Sequence, residues 1–150
     1  MSAIASNTVK PHTLNYQSVP TRGPELHSVK AIALATFIGS IFAGAVLLAV
    51  NFRRLGKGGM VVPTILAGLV ALAIVIGIGF ALPVGTPGMI FVIAQIGLAR
   101  LVATKTQGEA LKQHESRGGK IASAWKSAGV GAICFVGVLA LILAIALAAA

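Results

Sequence analysis

Three long runs of apolar residues dominate the chain, and short polar stretches separate them. The runs cover residues 31–50, 60–82 and 128–150. About 20 helical residues cross the roughly 30 Å hydrocarbon core of a bilayer, so a run of about 18 or more apolar residues is typical of a membrane-spanning helix. Because backbone polar groups in lipid must be paired within their own segment, the runs predict helices.

A fourth apolar segment is shorter and less uniform than the other three. It follows the uncharged turn PVGTPG at 83–88, and it contains Gln95 near its middle and Arg100 near its end. Beyond it, Glu109 has helical spacing to a lysine on either side, which predicts that the helix continues into water. Gly118 and the glycine after it are expected to end this helix.

The whole pattern predicts an all-α integral membrane protein with four transmembrane helices and a disordered N-terminal tail. The helices are expected at about 29–51, 60–82, 86–117 and 120–150. Residues 1–28 are polar and carry three prolines, so they offer too little apolar surface to fold. The transmembrane helical domain is therefore expected at 29–150. The alternative is a re-entrant hairpin over residues 60–103, which would leave two full spans.

Composition supports the membrane class and argues against a nucleic-acid partner. Apolar residues make up 57% of the chain and charged residues 10%, whereas a soluble domain carries about 25% charged residues. The formal net charge is +9, but the basic residues lie between apolar runs instead of gathering in a nucleic-acid-binding motif. The expected partners are a lipid bilayer with an anionic cytoplasmic leaflet and another membrane protein or a second copy of this chain.

The placement of Lys and Arg predicts an orientation in the membrane. Of the twelve basic residues, three lie in loop 51–59 and six in segment 100–126, whereas turn 83–88 has none. Basic loops stay in the cytoplasm, so we expect loops 51–59 and 104–126 to be cytoplasmic and both termini to lie outside a bacterial inner membrane. Lys30, at the start of the first helix, argues the other way. The residues expected at the cytoplasmic face or its interface are Arg53, Arg54, Lys57, Arg100, Arg117, Lys120, Trp125 and Lys126.

Two features inside the predicted spans are candidates for helix contacts. The pairs of small residues on one helix face are Gly39 with Ala43 and Ser40 with Gly44. Small residues at this spacing let helix backbones approach closely in lipid. Gln95 is the amide placed deepest in an apolar run, and we expect it to make an interhelical hydrogen bond. In an oligomer, one Gln95 from each subunit could instead form a polar ring.

The sequence shows no recognisable catalytic, cofactor-binding or metal-binding set. His114 and Glu115 are the one adjacent pair of His and carboxylate, and a general base or metal site would need further convergent partners. The serines lack the context of a nucleophile elbow, and GKGG at 56–59 lacks the spacing of a phosphate loop. Cys134, the single cysteine, lies in the last apolar run. We therefore expect neither an enzyme nor a bound cofactor.

Two segments carry a resemblance to a known kind of protein. They are ALATFIGSIFAGAVLLAVNFRRLGK at 33–57 and QHESRGGKIASAWKSAGVG at 113–131. They resemble a family of small bacterial inner-membrane proteins in which an apolar helix ends in Asn–aromatic–Arg–x–Leu–Gly–basic and a His–x–x–x–Gly–Gly segment leads to Trp–basic before the last helix. The matching residues are Asn51, Phe52, Arg53, Leu55, Gly56, Lys57, His114, Gly118, Gly119, Trp125, Lys126 and Gly129. The resemblance implies a multi-helix inner-membrane protein and brings no established activity.

Three functions are compatible with these observations. The first hypothesis is a non-enzymatic inner-membrane protein that works as an accessory or interaction subunit, through helix contacts and a basic cytoplasmic face. The alternative is a small oligomeric channel, holin-like pore or transporter component, in which Gln95 would supply the intramembrane polar group. The third is a membrane-tethered regulator that uses the basic face alone.

Overall fold

The computed structural model of the protein describes residues 23–83 and 85–148. This part of the chain forms four long helices, which we number α1 to α4, and a short 3₁₀ turn at Gly58–Met60. The helices are α1 Val29–Arg54, α2 Val61–Ala81, α3 Met89–Ser116 and α4 Ala124–Ala148. All four are long and apolar enough to cross a membrane. For the described residues the predicted all-α class is therefore confirmed, and the four apolar helices indicate a multi-pass membrane protein.

The helix bounds differ from the predicted ones by a few residues. α4 begins at Ala124, later than predicted, because Ile121 pairs with Leu26 in an isolated bridge. α3 ends at Ser116, as the pair of glycines predicts. Gly118 takes a φ of 73°, a left-handed conformation that favours glycine and commonly follows the last turn of a helix.

Helix α1 is interrupted near its middle. Gly39 has φ −117° and ψ 17°, and Ser40 has φ 73° and ψ 176°. Neither pair of angles is helical. α1 therefore consists of a first arm at residues 29–38 and a second arm at residues 41–54, joined by these two residues alone.

The two arms of α1 run side by side in opposite directions. The backbone N–H of His27, just before the first arm, donates to Oδ1 of Asn51, near the end of the second arm, at 2.8 Å. A straight helix of 26 residues would hold its ends about 39 Å apart. Thr36 and Gly44 also lie against each other across the two arms. α1 is therefore a helical hairpin, which we call the α1 hairpin, and the prediction of one continuous helix at about 29–51 is wrong.

The α1 hairpin is the centre of the fold. Fourteen of its residues are buried, whereas α2 and α4 bury two residues each and α3 buries four. α2, α3 and α4 each pack on the hairpin, and few contacts join these three helices to one another. Their outer faces are apolar and exposed, which suits contact with lipid. The buried apolar core is formed by Ile32, Ala35, Ala43, Leu47, Leu48 and Ala103.

One face of α3 follows the second arm of the hairpin. The buried residues of α3 are Ala99, Ala103, Gln107 and Leu111, spaced by four. Gln95 continues the same row toward the start of the helix. Gln95 lies at the turn of the hairpin and Gln107 near its open end. Twelve helical residues separate these two amides, so they lie about 18 Å apart along the helix axis.

Residues 23–28 pack against the open end of the hairpin. Leu26 is fully buried, its N–H donates to the carbonyl of Lys120 at 3.1 Å, and its carbonyl accepts from the N–H of Ala122 at 2.8 Å. The sequence pattern assigns these six residues to a disordered tail, and for them the prediction is wrong, because one apolar side chain and paired backbone groups anchor them. Residues 1–22 of that predicted tail lie outside the described residues.

The polar connections meet at the open end of the bundle. The open end is the end where the two arms of α1 begin and finish, and it holds residues 23–28, turn 55–60 and segment 117–123. The turn between α2 and α3 lies at the opposite end. The sequence pattern places the N-terminal segment and loop 51–59 on opposite sides of the membrane. In the structure residues 23–28 lie at the same end of the bundle as loop 51–59, because the chain turns back inside α1.

Candidate functional site

The turn of the α1 hairpin, residues 39 and 40, lies against Gln95 of α3, and we call this region the hairpin tip. A break in a helix leaves the first N–H groups of the following helical segment without partners. Here the N–H of Ile41, the first residue of the second arm, donates to Oε1 of Gln95 at 3.0 Å. The intramembrane amide that the sequence singles out is therefore bonded to the break in α1 of the same chain.

Ser40 is held in a conformation that residues other than glycine rarely adopt. Its φ of 73° and ψ of 176° fall in a region that costs about 1–3 kcal/mol for a residue with a side chain. Its hydroxyl oxygen is buried and has no hydrogen-bond partner among the described residues. A strained residue that keeps an unpaired polar group is typical of a functional position.

A pocket of about 210 Å³ opens beside the hairpin tip. This volume is far above the about 10–15 Å³ that one water molecule needs. The lining combines polar groups of the tip with apolar side chains, among them two of α4. The lining residues include Thr36, Gly39, Ser40, Gln95, Phe135 and Val138.

The hairpin tip lies at about half the depth of the bundle. The first arm spans residues 29–38 and is about 15 Å long, which is half of a hydrocarbon core of roughly 30 Å. Beyond the tip, none of the described residues of α2 after Leu72, of α3 before Ala99 or of α4 after Gly131 is buried. The half of the bundle beyond the tip is therefore loosely packed, whereas the apolar core fills the half that holds the arms.

Glycines bring α4 against the hairpin tip. A Cβ added at Gly39 would overlap the backbone oxygen of Gly131 and would lie 2.8 Å from Cβ of Ala43. A Cβ added at Gly131 would lie 3.0 Å from the carbonyl oxygen of Ala35. The backbones of α1 and α4 thus approach closely at the break, and only residues without a side chain permit this distance.

The four small residues that the sequence marks for helix packing have different environments. Gly39 faces α4, Gly44 faces the first arm and Ala99 of α3, and Ala43 belongs to the apolar core. Ser40 forms the turn itself. They do not share one helix face, because α1 reverses its direction between Ser40 and the next residue.

A second group of polar side chains, which we call the base cluster, lies at the open end of the hairpin. Asn51 is fully buried and makes three hydrogen bonds. Its Oδ1 accepts a hydrogen bond from the N–H of His27. Its Nδ2 donates to the carbonyl of His27 at 2.8 Å and to Oε1 of Gln107 at 3.0 Å. Gln107 donates to the carbonyl of Leu48 at 2.8 Å. Nδ1 of His27 lies 2.7 Å from Oγ of Ser127. The base cluster therefore ties the N-terminal segment to α1, α3 and α4.

The surroundings of the base cluster favour a neutral His27. Burial lowers the pKa of His27, and the positive charge of Arg54 lowers this pKa further, while Glu25 opposes the shift. Nζ of Lys126 lies 2.6 Å from Oε2 of Glu25, and this hydrogen bond lowers the pKa of the Glu25 carboxyl. Since Lys126 and Glu25 are both open to solvent, their ion pair contributes little to stability.

The basic residues predicted for the cytoplasmic face are exposed, and all except Arg100 lie at the open end of the hairpin. Arg54 donates to the carbonyl of Glu25, and Trp125 is 87% exposed. Arg100 is exposed on α3, five residues from Gln95. Lys30, at the start of the first arm, joins the basic end as well. The predicted residues found at this end are Arg53, Arg54, Lys57, Arg117, Lys120, Trp125 and Lys126.

The base cluster was not predicted from the sequence. One signal was present, since Gln95 and Gln107 share a face of α3 with only the small residues Ala99 and Ala103 at the positions between them. Such a face predicts a close neighbour with polar backbone groups at both ends. His27 gives no comparable signal, because its partners become neighbours only after α1 has reversed.

Comparison with known proteins identifies no relative. No protein-family profile, curated protein or solved structure matches this chain. The resemblance to small bacterial inner-membrane proteins therefore stays a prediction.

Proposed function

We propose that the protein is a non-enzymatic component of a membrane transport system and that the hairpin tip is its solute site inside the bilayer. The observation that carries the proposal is the break in α1, whose backbone meets Gln95 at half depth. Transporters commonly form their sites near the bilayer midplane from discontinuous helices. Backbone outside regular helix is otherwise costly at this depth, so its presence favours a functional purpose.

A gated transporter component is better supported than a permanently open pore. The apolar core fills the half of the bundle between the hairpin tip and the base cluster, and Ile32 and Leu47 within it are fully buried. A solute that reaches the tip from the loosely packed half would have to wait for a helix to move. Few contacts join α2, α3 and α4 to one another, so one of these helices could shift on the hairpin without disturbing the other two.

An accessory subunit is the second candidate function, and α4 favours it. Among its described residues, α4 buries Ser127 and Gly131. Most of its apolar surface is therefore available to lipid or to another membrane protein. The two proposals are compatible, since a small transport component can bind a larger partner along α4.

We further propose a bacterial inner-membrane orientation in which α2, α3 and α4 cross the bilayer and the α1 hairpin enters and leaves on one side. The hairpin brings Lys30 to the same end as turn 55–60 and segment 117–123, whereas the turn between α2 and α3 carries no Lys or Arg. The positive-inside rule then favours a cytoplasmic location for the open end. Residues 23–28 lie on that cytoplasmic side, and α4 ends outside.

Labelling of single cysteines in intact cells tests this orientation. In a Cys134→Ala background, we expect a membrane-impermeant thiol reagent to label Thr86→Cys but not Pro24→Cys or Ser116→Cys until the cells are opened. All three replaced residues are exposed, so a lack of labelling reports the side of the membrane. Four straight crossings would label Pro24→Cys together with Thr86→Cys, and this result would overturn the hairpin arrangement.

Uptake into reconstituted vesicles tests the transport proposal. We expect vesicles that contain the protein to take up small solutes faster than empty vesicles. Gln95→Leu should remove most of the difference, because leucine cannot accept the hydrogen bond from the N–H of Ile41. Gln113→Leu is the matched control, since Gln113 is an exposed amide of the same helix, 3.3 Å from Oε1 of Glu109, and its loss should leave uptake unchanged.

The uptake experiment also separates the two candidate functions. Equal uptake by protein-containing and empty vesicles, for neutral and charged solutes alike, would refute transport by this chain alone. The accessory role would then be the better proposal.

A further inference from the structure

We infer that the hairpin tip binds small uncharged solutes that carry hydrogen-bonding groups and that it rejects ions. This inference rests on the proposed transport function and names the class of solute for the same site. It depends on three properties of the pocket beside the tip, which are its hydrogen-bonding groups, its lack of charge and its apolar wall.

The pocket offers both hydrogen-bond donors and acceptors. The hydroxyl of Ser40 can donate and accept, and it has no partner among the described residues. Gln95 uses Oε1 for the N–H of Ile41, so its amide N–H groups are available as donors. Thr36 donates its hydroxyl proton to the carbonyl of Ile32 at 3.0 Å, which leaves its oxygen as an acceptor. A solute with a hydroxyl or an amide could replace the water that these groups would otherwise need.

The charge distribution around the pocket disfavours ions. The lining residues that the structure describes include no Lys, Arg, Asp, Glu or His. The first arm ends and the second arm begins at the tip, so the negative end of one helix dipole lies beside the positive end of the other and their partial charges oppose each other. An ion at this depth would lose its hydration shell without gaining a counter-charge.

The apolar wall limits the solute to a small molecule. Phe37 of the first arm and Phe135 and Val138 of α4 line the pocket together with the polar groups. A solute that fits both kinds of group has a short carbon skeleton and a few polar atoms. Glycerol meets this description, and urea is a second small uncharged probe that carries amide groups; potassium and chloride serve as the charged comparison.

Ser40→Gly is the variant that tests the site without harming the fold. Glycine adopts the backbone angles of residue 40 freely, so the variant should be at least as stable as the natural protein. It removes the unpaired hydroxyl from the pocket. We expect uptake of glycerol or urea to fall about fivefold, the factor that corresponds to one net hydrogen bond. Ser116→Ala is the control, because Ser116 is exposed at the far end of α3.

The outcomes of the uptake experiment separate the inference from the proposed function. Uptake of glycerol or urea without potassium or chloride flux, reduced by Ser40→Gly and unchanged by Ser116→Ala, supports the assigned solute class. Flux of potassium or chloride alone would overturn the inference and leave transport standing. If Ser40→Gly does not reduce the uptake, the solute site does not lie at the hairpin tip, and the inference is wrong. If vesicles that contain the protein take up none of the four probes faster than empty vesicles do, the proposed function itself is wrong.

Discussion

Gly39→Ala is expected to lower the free energy of unfolding by about 3 kcal/mol, at the high end of the range for overpacking a tight contact. The added methyl group would overlap the backbone oxygen of Gly131 and would lie 2.8 Å from Cβ of Ala43. A side chain could rotate away from such a contact, but the Gly131 carbonyl is fixed within α4. The first arm and α4 would therefore have to separate at the hairpin tip.

Gly137→Ala is the matched control for this prediction. Gly137 lies on the same helix as Gly131, and nothing lies within 4 Å of a Cβ added there. Alanine is a better helix former than glycine by about 1 kcal/mol, so this variant should be as stable as the natural protein or more stable. Denaturant titration in detergent micelles compares the two variants. An equal effect of both substitutions would contradict the close approach of α1 and α4 at Gly39.

The helices were predictable from the sequence because they depend on local properties. Runs of apolar residues long enough to cross a bilayer determine the helical segments. The pair of glycines that begins with Gly118 follows the end of α3, as the sequence predicts. The reversal inside α1 has no such local signature. An apolar run of the length of residues 31–50 satisfies the requirements of one straight span, and Ser40 is not a residue type that predicts a left-handed backbone.

The position of Lys30 in the charge pattern indicates the hairpin, and an arrangement of four straight spans does not explain it. Lys30 lies on the outer side in that arrangement, against the rule that places basic residues in the cytoplasm. With α1 turned back on itself, Lys30 joins Arg53, Arg54 and Lys57 at one end of the bundle. The sequence thus held the evidence for an orientation, but the geometry of α1 was needed to interpret it.

Asn51→Leu is the second substitution with a large expected effect, a loss of about 3 kcal/mol in the free energy of unfolding from three lost hydrogen bonds. Leucine has a similar size, so the effect reports polar contacts more than packing. The variant would leave the N–H and carbonyl of His27 and Oε1 of Gln107 buried without their present partner. Three interhelical hydrogen bonds at the membrane average of about 0.6 kcal/mol each would give about 2 kcal/mol, and a smaller loss in denaturant titration would contradict a stabilising role of these bonds.

A double-mutant cycle with Gln107→Leu shows whether the base cluster acts as one unit. Asn51 and Gln107 are bonded to each other at 3.0 Å, so each single substitution removes one hydrogen bond from the other amide. The double variant replaces both, and its loss should be smaller than the sum of the single losses by about 1 kcal/mol. Gln113→Leu, paired with Asn51→Leu in the same way, should give additive effects, since its exposed amide bonds to Glu109. Additivity in the Gln107 cycle would mean that the two amides contribute separately, and the base cluster would then not be the element that holds the open end of the α1 hairpin together.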